Sequence, residues 1–182
     1  SERAAIKVIE KARPSSKIID GQQRITTCFI LAIILHGKLL EYKGVKTLTK
    51  RINNLLRTEN DKLRLELNDK DNDDLQTIFN NHSPSNPLPN DKKDKIWSRR
   101  GSGNARNPVM DGYVCINNWV EEKLESKESK TKKKNWLKEY TTYLLDKLGF
   151  ILIRVTGKGQ GHLVFKSLNS TGQKLTQGEL IK

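Results

Sequence analysis

Between Ile25 and Leu35 the chain reads Ile-Thr-Thr-Cys-Phe-Ile-Leu-Ala-Ile-Ile-Leu, its most apolar stretch. A segment with so few polar groups has to be buried on nearly every side, so the fold must be assembled around it. Just before it, a short apolar run, Ile18-Ile19, meets Asp20-Gly21-Gln22-Gln23-Arg24. Lys17 to Leu40 therefore reads as strand, tight turn and buried helix. Gly21 can take a positive φ without a Cβ penalty, which lets a strand pass into a helix in one step. The polar cluster then sits at a helix start, where backbone N–H groups lack intrahelical partners and the dipole favours an anion. Arg24 adds a planar, permanently charged donor fork suited to phosphate. The same residues are equally consistent with Asp20 capping the helix and Gln22, Gln23 and Arg24 forming a solvated first turn.

The apolar core of this segment, Cys28 to Leu35, is too short to span a bilayer and is followed by His36, Lys38 and Glu41. No signal peptide opens the sequence, so a soluble, cytoplasmic protein with no membrane partner is expected. Cys28 and Cys115 form no CxxC, which suggests neither a disulfide scaffold nor a structural zinc site. Cys28, inside the apolar run, reads as a packing residue. Thirty-four Lys and Arg against 21 Asp and Glu give a net charge of +13, which points to an anionic partner such as nucleic acid or nucleotide.

Ser1 to Ala12 has helical spacing that stops before Pro14. Beyond Gly44, the residues Leu48, Ile52, Leu55 and Leu56 mark an amphipathic helix. Leu63, Leu65 and Leu67 alternate with Arg64 and Glu66 as in a half-buried strand, and Asp69 to Asn81 returns to helical spacing. Residues 83–107, rich in proline and glycine, read as a long basic loop carrying Lys92, Lys93, Lys95, Arg99, Arg100 and Arg106. Trp97 in that loop either stacks on a base or docks on the core. Met110 to Leu124 reads as a helix, Lys127 to Lys134 as a solvated lysine-rich turn, and Trp136 to Leu148 as a helix ended by Gly149. Phe150 to Val155 reads as a second buried strand, followed by Gly157, Gly159 and Gly161. Leu163 to Leu168 reads as a short helix, and Thr176-Gln177-Gly178-Glu179 as a capping box opening another.

Several familiar patterns fail on their spacing. Asp69, Asp71 and Asp73 begin like a calcium loop, but Asp74 occupies its glycine position and Asn80 its terminal glutamate position. Gly157 to His162 matches neither a dinucleotide fingerprint nor a P-loop. His36, His82 and His162 are too scattered in sequence for a metal triad, and each reads as structural or exposed.

The second distinctive stretch is Phe165-Lys166-Ser167-Leu168-Asn169-Ser170-Thr171-Gly172-Gln173-Lys174-Leu175-Thr176. It combines a helix end, a turn rich in donors and acceptors, and a capped helix start. Paired with Asp20 to Arg24, it resembles the N-terminal domain of GmrSD-type modification-dependent restriction enzymes. That family carries DGQQR and, well downstream, F-x-x-L-N-x-x-G-x-x-L-[ST]. Leu63 to Phe79 resembles the family's leucine-rich strand and Asp-opened helix more weakly.

The resemblance implies an α+β, mostly helical fold: a ParB/sulfiredoxin-like nucleotide-binding core from residues 1–44 and 149–182, with a helical middle over 45–148. It implies hydrolysis of nucleoside triphosphates, with a divalent cation, Mg2+, near Asp20. That activity would be coupled to DNA cleavage by an HNH-type nuclease domain or subunit outside this chain. Carried over residue by residue, Asp20, Gln22 and Arg24 would be catalytic, with Asp20 also at the metal. Gly21, Gln23, Asn169, Ser170, Thr171 and Gly172 would hold the nucleotide. The opening that the family places ahead of DGQQR is not seen, and Gly161, His162 and Leu163 stand where acidic residues are common. The sequence thus reads as a piece of a longer chain.

Two functional readings compete. In one, backbone amides at Gln22 and Gln23, together with Arg24, hold phosphates for hydrolysis. In the other, the same pocket only senses nucleotide or DNA, with Lys92, Lys93, Arg99 and Arg100 on the phosphate backbone. Direct nuclease chemistry ranks below both, since no second clustered carboxylate accompanies Asp20 in sequence.

Overall fold

The apolar stretch forms one long helix, α1 (Gln22–Leu40), entered through Gly21 at φ +84°. Six consecutive residues, Ala32 to Gly37, are buried, so the helix is enclosed on nearly all sides along its second half. At 19 residues it is long and apolar enough, by length and composition alone, to cross a bilayer. Here its apolar side chains belong to the core shared with the other helices. In this computed structural model residues 21–83, 86–87 and 108–150 are described. The chain divides into two compact units, one of residues 1–22 and 149–182 and the other of residues 23–148. The description below concerns the second, with the residues that open α1.

Gly44 at φ +77° turns the chain into α2 (Lys46–Leu56), which buries Ile52 and Leu56 completely. Leu63, Leu65 and Leu67 keep their inward alternation, but the expected strand does not form. Only an isolated bridge between Arg57 and Leu63 pairs the segment, so its backbone has no ladder to join. Next comes α3 (Asp69–Asn80), where the Asn68 side chain accepts from the Asp71 N–H at 3.2 Å. That cap explains the polar, Asp-rich opening of α3 as helix chemistry. Leu75, Ile78 and Phe79 then point to the core.

The segment read as loop begins with a minimal hairpin. β1 (His82–Ser83) pairs antiparallel with β2 (Asn86–Pro87), His82 opposite Pro87 and Ser83 opposite Asn86. A ladder this short has mostly edge positions, which is where a proline is tolerated. α4 (Pro108–Glu125) starts two residues before the expected Met110, with proline in the first helical position, where its missing N–H costs nothing. The lysine-rich turn proves much shorter than the sequence suggests. Ser129 caps α5 (Lys130–Asp146) by accepting from the Lys132 N–H at 3.2 Å, and Glu128 pairs with Lys132 one turn on. Four lysines expected in a turn are therefore helical. α5 also stops earlier, with Lys147 at its C-cap in place of Gly149.

α3 packs on α4, and α2 packs on α5 with Arg51 paired to Asp146 across the contact. α1 meets α4 through the Lys38–Glu121 ion pair. Trp119 of α4 rests against Trp136 and Tyr140 of α5, with ring centroids 6.1 and 5.4 Å apart. Ala32, Ile33, Leu35, Leu39, Ile52, Leu56, Leu75, Val120 and Leu137 are wholly buried. Each of these apart from Ala32 contributes about 1.5–3 kcal/mol by leaving water. The described part is thus mostly helical, five helices with one short hairpin. The expected Ser1 to Ala12 helix, the Ile18-Ile19 strand, the second strand beyond Phe150, the glycine run and the helices after it lie outside the described residues.

Candidate functional site

At the start of α1, Gln22, Gln23 and Arg24 all have exposed side chains, and no acidic residue occupies the first turn. Among the described residues, a Cβ placed at Gly21 would meet nothing within 4 Å. Thr27 Oγ1 donates to the Gln23 carbonyl at 2.8 Å one turn further on. Cationic charge, a glycine turn and a helix start together suit an anion. Asp20, Asn169, Ser170, Thr171 and Gly172 lie outside the described residues. So do Lys92, Lys93, Arg99 and Arg100.

The structure brings together two residues that sequence spacing kept apart. His36, buried in α1, has its Nδ1 2.7 Å from Nε2 of His82 in β1. The Nδ1–H of His82 donates to the Phe79 carbonyl, which fixes its tautomer and leaves Nε2 to accept from His36. The His82 ring stacks on Phe79 with centroids 5.0 Å apart. Arg57 lies 4.4 Å from the centroid of the Phe79 ring while pairing with Asp61. Its buried Nε has no hydrogen-bond partner among the described residues. Burial first, then His82 and the Arg57 guanidinium, lower the His36 imidazole to about 4. Burial also lowers His82, against the opposing pull of its bond to Phe79. Both rings are therefore neutral at pH 7 and act as a hydrogen-bonded clasp between α1 and the hairpin. No group of three or more metal-ligating side chains occurs among the described residues. The signal available in the sequence was a histidine at the end of an apolar run, since a buried ring nitrogen requires a partner.

Burial raises the Cys28 thiol, which keeps it protonated and matches its reading as a packing residue. A shallow depression of about 360 Å³ on α5 is lined by Asn135, Lys138, Glu139 and Thr142, none of which belongs to either motif.

Residues 5–182 match the model of the GmrSD restriction endonuclease N-terminal domain, nearly the whole chain and both motifs included. The chain belongs to this family. Neither a curated protein nor a solved structure matches it. Within a GmrSD N-terminal domain, the turn and start of α1 carry four of the five residues from Asp20 to Arg24, and the His36–His82 clasp lies in the helical part that follows.

Proposed function

We propose that this GmrSD N-terminal domain binds and hydrolyses a nucleoside triphosphate, and so regulates DNA cleavage by a nuclease outside the chain, in cytoplasmic defence against phage. The observation that carries the reading is the start of α1. A glycine turn at φ +84° leads into exposed Gln22, Gln23 and Arg24 with no carboxylate in the first helical turn. Support comes from the family match, which spans this motif and the Asn169 to Gly172 stretch. On this reading residues 1–44 and 149–182 form the ParB/sulfiredoxin-like core. Arg24 and the helix-start amides are the groups suited to the phosphates, and the resemblance assigns nucleotide contacts to Asn169, Ser170, Thr171 and Gly172. Asp20 is the residue suited to a divalent cation such as Mg2+, which would supply charge neutralisation at the terminal phosphoryl group.

Phosphate release with each of the four common triphosphates, beside calorimetric titration with a non-hydrolysable analogue, tests the proposal. Release that Arg24→Ala weakens supports it. Binding without release would leave a nucleotide sensor, and neither binding nor release would reduce the cluster to a helix start.

A further inference from the structure

Lys130, Lys134 and Lys138 recur every fourth residue along α5 and so line one side of the helix over about 12 Å. Like charges at this spacing oppose helix formation, and the first turn of α5 holds no acidic residue to offset them. The loop before α2 extends this charge. Lys130 Nζ lies 5.8 Å from the centroid of the Tyr42 ring, and Lys134 Nζ would be 3.4 Å from a Cβ at Gly44. Those contacts set Lys43 and Lys46 beside the α5 row, and α2 too begins without an acidic residue. Lys43, Lys46, Lys130 and Lys138 are exposed and Lys134 is half-buried. Two of the neighbouring carboxylates are already paired, Glu121 with Lys38 and Glu128 with Lys132. Glu41 belongs to the loop, and Glu139 sits one residue beyond Lys138, turned about 100° around the helix.

We propose that this face, Lys43 and Lys46 with Lys130, Lys134 and Lys138, holds the phosphate backbone of double-stranded DNA without reading its sequence. A row of about 12 Å spans three or four phosphates of one strand at about 3.4 Å of axial rise each. Tyr42, the aromatic residue of the face, lies under Lys130, so the face offers cations to a backbone and no open ring to a base. A restriction endonuclease domain has such a polyanion as its natural partner. These lysines are distinct in sequence from Gly21 to Arg24 and from Lys92 to Arg106, and the proposal does not rest on the nucleotide reading.

The test is fluorescence anisotropy of a labelled, unmodified short duplex titrated with the full chain over a range of salt concentrations. Lys130→Gln/Lys134→Gln/Lys138→Gln should bind at least about tenfold more weakly at low salt. Its log K against log salt should be shallower by about two to three, at roughly 0.9 per lost phosphate contact. Lys43→Gln/Lys46→Gln, outside α5 and exposed, should flatten the slope by about one to two and guards against a folding effect. Circular dichroism should show unchanged helix content in both. If both variants keep the parental slope, the proposal fails, whether the loss then follows neutralising Lys92, Lys93, Arg99 and Arg100 or appears only with phosphatidylserine vesicles. A parent chain showing no salt-dependent duplex binding would equally overturn it.

Discussion

Nδ1 of His36 donates to Nε2 of His82 across 46 residues of sequence, at 2.7 Å and in a partly buried setting. That bond needs His82 Nε2 unprotonated, and burial disfavours a charge on either ring, which makes the domain's stability depend on pH. The folded value for His36 is about 4, below the ordinary 6.5. The unfolded chain therefore binds more protons between these values, and stability falls as pH drops from about 6.5 towards 4. His36 alone accounts for a loss of roughly 2–3 kcal/mol over that window. Urea midpoints at neutral and at mildly acidic pH should show it, with a shallower dependence in His36→Gln. A midpoint that does not move with pH would mean the clasp is not formed in solution.

Two helical glycines should respond oppositely to the same substitution. Alanine inside a helix ordinarily stabilises by about 0.5–1 kcal/mol over glycine. At Gly112 the new Cβ would sit 3.7 Å from Ile30 Cδ1, an ordinary contact, so Gly112→Ala should show that gain. At Gly37 it would overlap the His82 carbonyl oxygen and lie 3.1 Å from the carbonyl carbon, and backbone cannot swing aside. Gly37→Ala should cost about 1–3 kcal/mol. Denaturant unfolding of the two variants checks the pair of signs.

Gly21→Ala separates strain from sterics. Among the described residues nothing crowds a Cβ at Gly21, but φ +84° is a conformation an alanine enters at a cost of about 1–2 kcal/mol. Triphosphate affinity should fall, because the strain bears on the turn that delivers Gln22 to Arg24. Helix content measured by circular dichroism should stay unchanged.

Arg24 and Asp20 should part in their effects on the proposed reaction. Arg24 is exposed in the first turn of α1 and contributes little packing, so Arg24→Ala should weaken triphosphate binding with melting unaltered. A bare carboxylate repels phosphate, so Asp20→Asn should keep or tighten binding and lose most turnover. Normal hydrolysis by Asp20→Asn would remove Asp20 from the chemistry.

Elements whose cues were local were readable from sequence. The apolar run gave α1, and the spacing of Leu48, Ile52, Leu55 and Leu56 gave α2. Leu75, Ile78 and Phe79 gave α3 in the same way. The failures each turn on a partner or a cap. Leu63 to Leu67 alternates like a strand, but strand formation needs a neighbour that periodicity does not reveal. Lys130 to Lys134 looks like a solvated turn by charge, yet one hydrogen bond from the Lys132 N–H to Ser129 starts the helix there. At the candidate site, the glycine turn and exposed start of α1 agree with the residue types. The His36–His82 contact was illegible because it is made by tertiary packing of α1 against β1.

The ring cluster of Trp119, Trp136 and Tyr140 gives this domain a built-in optical reporter. Trp136 and Tyr140 stack at 5.0 Å with only 14° between their planes, and Trp119 closes on both from another helix. Aromatic rings held at fixed angles this close couple their transitions, so near-ultraviolet circular dichroism senses whether α4 remains docked on α5. Far-ultraviolet signal follows only the helices themselves. A variant or ligand that loosens the docking while sparing the helices would weaken the first signal by the share that Trp119 contributes and keep the second, which lets separation of these two helices be watched without any added label.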